Sequence, residues 1–192
     1  MELQPELGIH ELMGALGDAH ADTYRHSLEV AESATEVAKR LGLDHAQRVE
    51  VELGALLHDV GKLRLPPAIL RKPGGLSHEE RRLIRMHPDW GADMVARIPG
   101  LEIVALIVRL HHERPDGLGY PYGLTEGQIP VAARIVSVCD AYGAMTKARP
   151  YRAPLELDAA VMELHRHAGT QFDPDVVEAL IEFVRPRERL SA

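Results

Sequence analysis

The 192-residue chain has a single cysteine, Cys139, which excludes an intrachain disulfide and fits a reducing, cytoplasmic compartment. It has no excess of basic residues: 22 Lys and Arg stand against 29 Asp and Glu, a formal net charge of -7. A general binder of duplex nucleic acid needs a basic face to offset phosphate repulsion, and this composition argues against one. Long apolar runs are missing too. The longest, IVALIVRL over 103–110, is too short to span a bilayer and is broken by Arg109. The opening MELQPELG is acidic and lacks the basic and apolar regions of a signal peptide. Internal repeats, low-complexity tracts and a domain linker are absent, and the length suits one domain. The expectation is a soluble cytoplasmic protein that does not engage a membrane.

What is present is helix. With 45% hydrophobic residues the chain can bury a proper core. Apolar residues recur at helical spacing over 9–20, 23–42, 46–57, 78–97, 100–112, 130–144, 155–168 and 174–184, and no stretch alternates as a strand. Start and stop signals agree with that pattern. Ser77 with Glu80 forms a capping-box signature, and Asp173-Pro174 supplies an N-cap followed by proline in the first turn. Gly169 stands where a helix end needs a left-handed residue. Trp90 and Cys139 are expected in the core. Two distinctive loops remain, 63–76 and 113–130, and the second is long enough to suggest function. The class is all-α.

Chemistry concentrates in four blocks: LLHDVGK (56–62), HPDWG (87–91), HHERPDGLGYPYGL (111–124) and VCDAYGAMTKARPYR (138–152). With His26 in RHSLEV they place five histidines together with Asp59 and Asp140 at or near the ends of helical patterns. Helix bundles build metal sites this way, converging ligands from several helices on one cavity. A carboxylate such as Asp59, after an almost wholly apolar stretch, is costly unless paired or bound to a metal. Adjacent helical residues diverge by about 100°, so His58 and Asp59 cannot easily serve one metal from the same side, and His111 and His112 can point at different metals. A lone buried histidine is usually a hydrogen-bonded core residue; seven such groups together are not. His10, His20, His45, His78, His165 and His167 fall outside the blocks. His165 and His167, near a helix end, suit free carbonyls better than metal.

These blocks, including Gly119-Tyr120-Pro121, resemble the HD-GYP domain, a bacterial metal-dependent phosphodiesterase family that hydrolyses cyclic di-GMP. The resemblance runs from about Asp22 to about Pro174. It implies an HD-type helical bundle over 21–184 with a C-terminal helical extension and a long GYP loop, preceded by a helical segment 1–20 and followed by a frayed tail, 185–192. It implies two divalent ions, iron or manganese, held by His26, His58, Asp59, His87, His111, His112 and Asp140, with Asp59 bridging. Some members add a third ion through a glutamate four residues before the first histidine; here Asp22 stands there, one methylene shorter, and reads equally as a solvated acid. Lys62 matches the lysine expected to contact the scissile phosphate or assist its leaving oxygen. Arg149 and Arg152 match a pair that grips the dinucleotide, and Tyr120 either stacks on a base or packs the loop.

The implied activity is hydrolysis of cyclic di-GMP to pGpG and onward to GMP, in second-messenger signalling. Lys147-Ala148 replaces the more usual Ser-Asp, which keeps open another cyclic dinucleotide or nucleotide as substrate. A catalytically silent interaction module is the remaining alternative, and it is disfavoured because every ligand and GYP position is filled. No receiver or sensory segment is apparent, so a regulatory input is expected through a protein partner, a homodimer or residues 1–20.

Overall fold

In the computed structural model, which describes residues 5–70, 72, 74–147 and 153–185, the apolar periodicity resolves into ten α-helices and two short 3-10 segments, with no strand among the described residues. The helices are α1 (Pro5–Ala19), α2 (Ala21–Arg40), α3 (His45–Leu57), α4 (Pro67–Leu70), α5 (His78–Ile84), α6 (His87–Val95), α7 (Glu102–Leu110), α8 (Val131–Thr146), α9 (Leu157–His167) and α10 (Pro174–Val184). The expected helix over 78–97 is two helices. Pro88 has no N–H to continue the ladder, and the chain bends at Arg85 and Met86 before α6 begins. The 63–76 loop carries α4, and the 113–130 loop carries a 3-10 turn, Glu126–Gln128.

Local signals hold where the sequence placed them. Ser77 accepts from the Glu80 amide while the Glu80 side chain accepts from the Ser77 amide. Asp44 and Gln47 form a second such box at the start of α3. Asp173 accepts from the Asp175 and Val176 amides and also holds Arg134 of α8, joining α8 to α10. Gly169 has φ +79°, a left-handed turn closing α9.

Two large apolar clusters stabilise the bundle, beside a small third one of Leu110, Ile129 and Ala133. One joins Val30, Ala34 and Val37 of α2, Val51 and Ala55 of α3, Ile135 and Val138 of α8, and Leu164, Val177 and Leu180 of α9 and α10. The other joins Met13 and Leu16 of α1 to Leu57, Val60, Ala92, Val95, Val104 and Val108. Helix α1 therefore belongs to the packed body. Helices α3 and α7 contribute to both clusters, and both end in candidate site residues. Cys139 is fully buried, as expected, and burial pushes its thiol up to about 12. Trp90 is only half-buried and stands outside the clusters, a correction to its expected core position: it follows the Pro88 bend in the first turn of α6, where the buried face is formed by His87, Gly91 and Ala92.

A candidate metal centre

The cluster is built at helix ends, because a helix end has backbone carbonyls with no intrahelical partner. His58 caps α3 and its Nδ1 lies 2.7 Å from the Ala55 carbonyl. His111 caps α7 and its Nδ1 lies 2.7 Å from the Val108 carbonyl. His87 opens α6 and makes the same contact, 2.7 Å, with the Ile84 carbonyl. A carbonyl only accepts, so each Nδ1 carries the proton and donates it. Each Nε2 is left to face the neighbouring candidate ligands, the orientation in which a histidine binds metal.

Tertiary packing brings all seven expected residues together in two groups. His26, His58 and Asp140 form one; His87, His111 and His112 form the other, with ligand atoms inside each group within 4.8 Å of one another. In the first, His26 Nε2 lies 2.7 Å and His58 Nε2 3.8 Å from Asp140 Oδ1. Asp59 stands between the groups, with Oδ2 3.3 Å from His58 Nε2 and Oδ1 3.3 Å from His87 Nε2. His111 and His112 fall in the same group, with ring centroids 4.0 Å apart, and do not diverge as expected. The helix ends at His111, so the helical angle between neighbours does not govern His112.

The electrostatics call for a cation. Burial opposes charge on His58, yet Asp59 and Asp140 outweigh it and raise its pKa. Burial would raise the Asp59 carboxyl, but Lys62, His58 and His87 hold it well below the usual carboxylate range. Asp140 is likewise held down, against its burial, by the His26 hydrogen bond and by His58. In the other group burial pushes His87 to about 4 and His112 to about 3, and it lowers His111, so these three stay neutral. His58 Nε2 is buried with no hydrogen-bond partner, and His87 Nε2 faces His111 Nε2 at 3.4 Å with no proton on either. Facing lone pairs beside two carboxylates repel unless a positive ion lies between them. The donor set of imidazole and carboxylate suits a divalent metal ion.

Other expected residues are placed as follows. Lys62 Nζ lies 2.5 Å from Asp59 Oδ2, held there by the 3-10 turn Val60–Arg64. Gly61 makes that turn possible, since a Cβ there would sit 2.0 Å from the His87 carbonyl oxygen. Tyr120 stacks on His112, centroids 4.7 Å apart at 28°, which is the packing reading of that side chain. Asp22 shares α2 with His26 but stands apart from both groups: its side chain is 93% exposed and it pairs with Arg25. Arg149 and Arg152 lie outside the described residues, as do residues 1–4 and 186–192. Lys147 pairs with Glu29 of α2. His165 and His167 face the carboxylates of Glu178 and Glu163, not free carbonyls, because α9 and α10 bring those acids within reach.

One residue that shapes the loop beside the cluster escaped the sequence reading. Glu113 is 2% exposed, and its carboxylate accepts from the Tyr122 amide at 2.7 Å and the Leu124 amide at 2.9 Å. It pins the returning limb of the 113–130 loop, while Gly119 crosses so close that a Cβ would lie 2.5 Å from Glu113 Cα. An acid directly after two candidate-ligand histidines was the available signal.

The profile of the HD domain family matches residues 12–176. A cyclic di-GMP phosphodiesterase of Thermotoga maritima is 38% identical over 163 residues, 84% of this chain and 44% of that protein. The 3'3'-cGAMP-specific phosphodiesterase 1 of Vibrio cholerae is 37% identical over 187 residues, 93% of this chain and 43% of that protein. The chain thus spans under half the length of these relatives. Among solved structures, an HDG"Y"P protein from Bdellovibrio bacteriovorus superposes with a TM-score of 0.68 at 24% identity, covering 84% of this chain and 52% of that one, a likeness of fold. No helix among the described residues is long and apolar enough to cross a membrane.

Proposed function

The chain belongs to the HD domain family, and we propose that it is a metal-dependent phosphodiesterase that opens cyclic di-GMP to linear pGpG, with GMP as the onward product. The observation that carries this reading is the cluster itself: five imidazoles, three of them oriented by backbone carbonyls, and two carboxylates in two groups joined by Asp59. His26, His58 and Asp140 would hold one divalent ion and His87, His111 and His112 the other, with an oxygen of Asp59 for each. Ions held there supply Lewis-acid polarisation of a phosphoryl oxygen and offset the negative charge that develops at phosphorus. Iron or manganese fits the donors.

The chain's own residues do the rest. The three backbone carbonyls keep the histidine rings from turning, so the donor geometry is set before substrate arrives. Lys62 screens Asp59 until that carboxylate's charge is taken up, and its ammonium then becomes free to offset charge on the leaving oxygen. Arg149 and Arg152 grip the dinucleotide phosphates, which a planar guanidinium bonds bidentately. Asp22 takes no part, because its exposed carboxylate is turned to Arg25.

A second reading, 3'3'-cGAMP as substrate, is favoured by the Vibrio cholerae relative that matches 93% of this chain. Purified protein incubated with Mn²⁺ or Fe²⁺ and each cyclic dinucleotide, products separated by chromatography, decides between them. Release of pGpG from cyclic di-GMP is expected. No turnover of any cyclic dinucleotide in metal-replete protein would leave a silent interaction module. Lys62→Ala should lower turnover more than affinity, whereas Arg149→Ala should raise KM by roughly tenfold to a hundredfold, the worth of one charge-assisted contact. A Lys62→Ala effect confined to KM would make it a binding residue.

A further inference from the structure

Arg85 closes α5 two residues before His87, and its side chain is exposed at the bend created by Pro88. Its guanidinium carbon lies 5.2 Å from the centroid of the Tyr120 ring. That ring in turn stacks on His112, a member of the second triad. Arg85, Tyr120 and His112 therefore form one stack running from the surface to the metal centre. The Tyr120 phenol is raised by burial, then by Asp59 and Asp140, with Arg85 opposing.

Several other cations are already engaged. Lys62 is held by Asp59, Lys72 by Glu80, Arg82 by Glu79, and Arg109 by Asp89 and Asp93. Among the described residues the partner of the Arg85 guanidinium is the face of Tyr120, and it has no carboxylate. An aromatic face holds a guanidinium by its plane and leaves the N–H edge free, the edge that bonds phosphate in a two-pronged fashion.

We propose that Arg85 binds the second, non-scissile phosphate of the cyclic dinucleotide, using Tyr120 as the platform that holds its guanidinium. The inference rests on the cyclic dinucleotide reading above. Such a substrate carries two phosphodiester anions on one small ring. With one at the ligand cluster, the other must sit near the rim of an acidic protein, where it leaves water only against a cation. Among the described residues Arg85 is a cation without a carboxylate partner that is stacked on the cluster's own wall, and it would act beside Arg149 and Arg152.

The test compares Arg85→Gln and Arg85→Lys with the parent on the cyclic dinucleotide and on bis(p-nitrophenyl) phosphate, which has one phosphate and no second anion. Arg85→Gln should raise KM for the dinucleotide by roughly tenfold to a hundredfold, with kcat changed little. Its preference for the dinucleotide, as the ratio of the two kcat/KM values, should fall tenfold or more. Arg85→Lys should recover part of that preference through its charge, and metal content should match the parent. Equal proportional losses on both substrates would mean that Arg85 acts through Tyr120 and His112, which overturns the phosphate contact. An unchanged KM overturns it as well. A parent inactive on every cyclic dinucleotide would sink the substrate reading, a result distinct from an active parent with an indifferent Arg85→Gln.

Discussion

Asp59 offers one oxygen to each triad, so it is the side chain whose loss should separate them. Asp59→Ala is expected to abolish hydrolysis and lower bound metal, measured by product chromatography and elemental analysis. The fold should survive. The carboxylate opens no apolar void when removed, Lys62 is partly exposed and can turn to water, and His58 loses the neighbour that most raises its pKa against burial. Activity equal to the parent would rule out a bridging role. The histidines also make a pH prediction for metal-stripped protein. Burial lowers His87 to about 4 and His112 to about 3 and also depresses His111. Between pH 6.5, the unfolded value, and about 4, the unfolded chain takes up protons that these folded histidines refuse, so stability falls as pH falls. His58 works in the opposite sense: its pKa is raised, so its contribution is present below the unfolded value and lost as pH rises. Three lowered groups outweigh one raised group. The melting temperature of metal-stripped protein should drop across this window, and a rise would contradict the assignment.

At the scale of elements, the bend between α5 and α6 ties local sequence to the site. In an unbroken helix the amide at position 88 would bond the Ile84 carbonyl; Pro88 has none, and His87 Nδ1 takes that carbonyl instead. Pro88→Ala restores a competing donor and lets α5 and α6 merge. Metal affinity should fall by about tenfold or more, the usual effect of losing a group that orients a ligand, while the melting temperature of stripped protein changes little. Titration against a chelating dye reads the affinity, and an unchanged value would remove the carbonyl's orienting role. The proline was visible in HPDWG, but helical spacing on both sides of it masked the break. Glu113 was hidden for a different reason. A buried carboxylate that caps loop amides looks in sequence like any exposed acid, and only the return of Tyr122 and Leu124 to it reveals the difference.

For the whole molecule, the candidate ligands come from α2, α6 and α8 and from the ends of α3 and α7, so the unfolded chain cannot assemble them and metal binding is linked to folding. At a free metal concentration a hundredfold above Kd, the linkage is worth about 2.7 kcal/mol. For a domain of this size that corresponds to a rise in melting temperature of roughly 5–10 °C. Calorimetry with Mn²⁺, then with chelator, should show the rise and its reversal. A melting temperature indifferent to both would mean that the cluster does not hold metal in the folded protein.

Composition, helical spacing and capping residues were enough to establish an all-α domain, and the HD-GYP blocks were enough to name the seven ligand candidates. Those signals act over a turn or two of backbone, where propensity and hydrogen bonding are local. The partition of the seven is not local. That His111 and His112 share a triad, that Asp59 stands between triads and that Asp22 faces solvent depend on how α2, α3, α6, α7 and α8 cross. Those crossings are decided by close packing, as where Gly61 lies against the backbone of His87. Residues distant in sequence meet there because the two apolar clusters bury their helices from both sides, and no single segment carries that information.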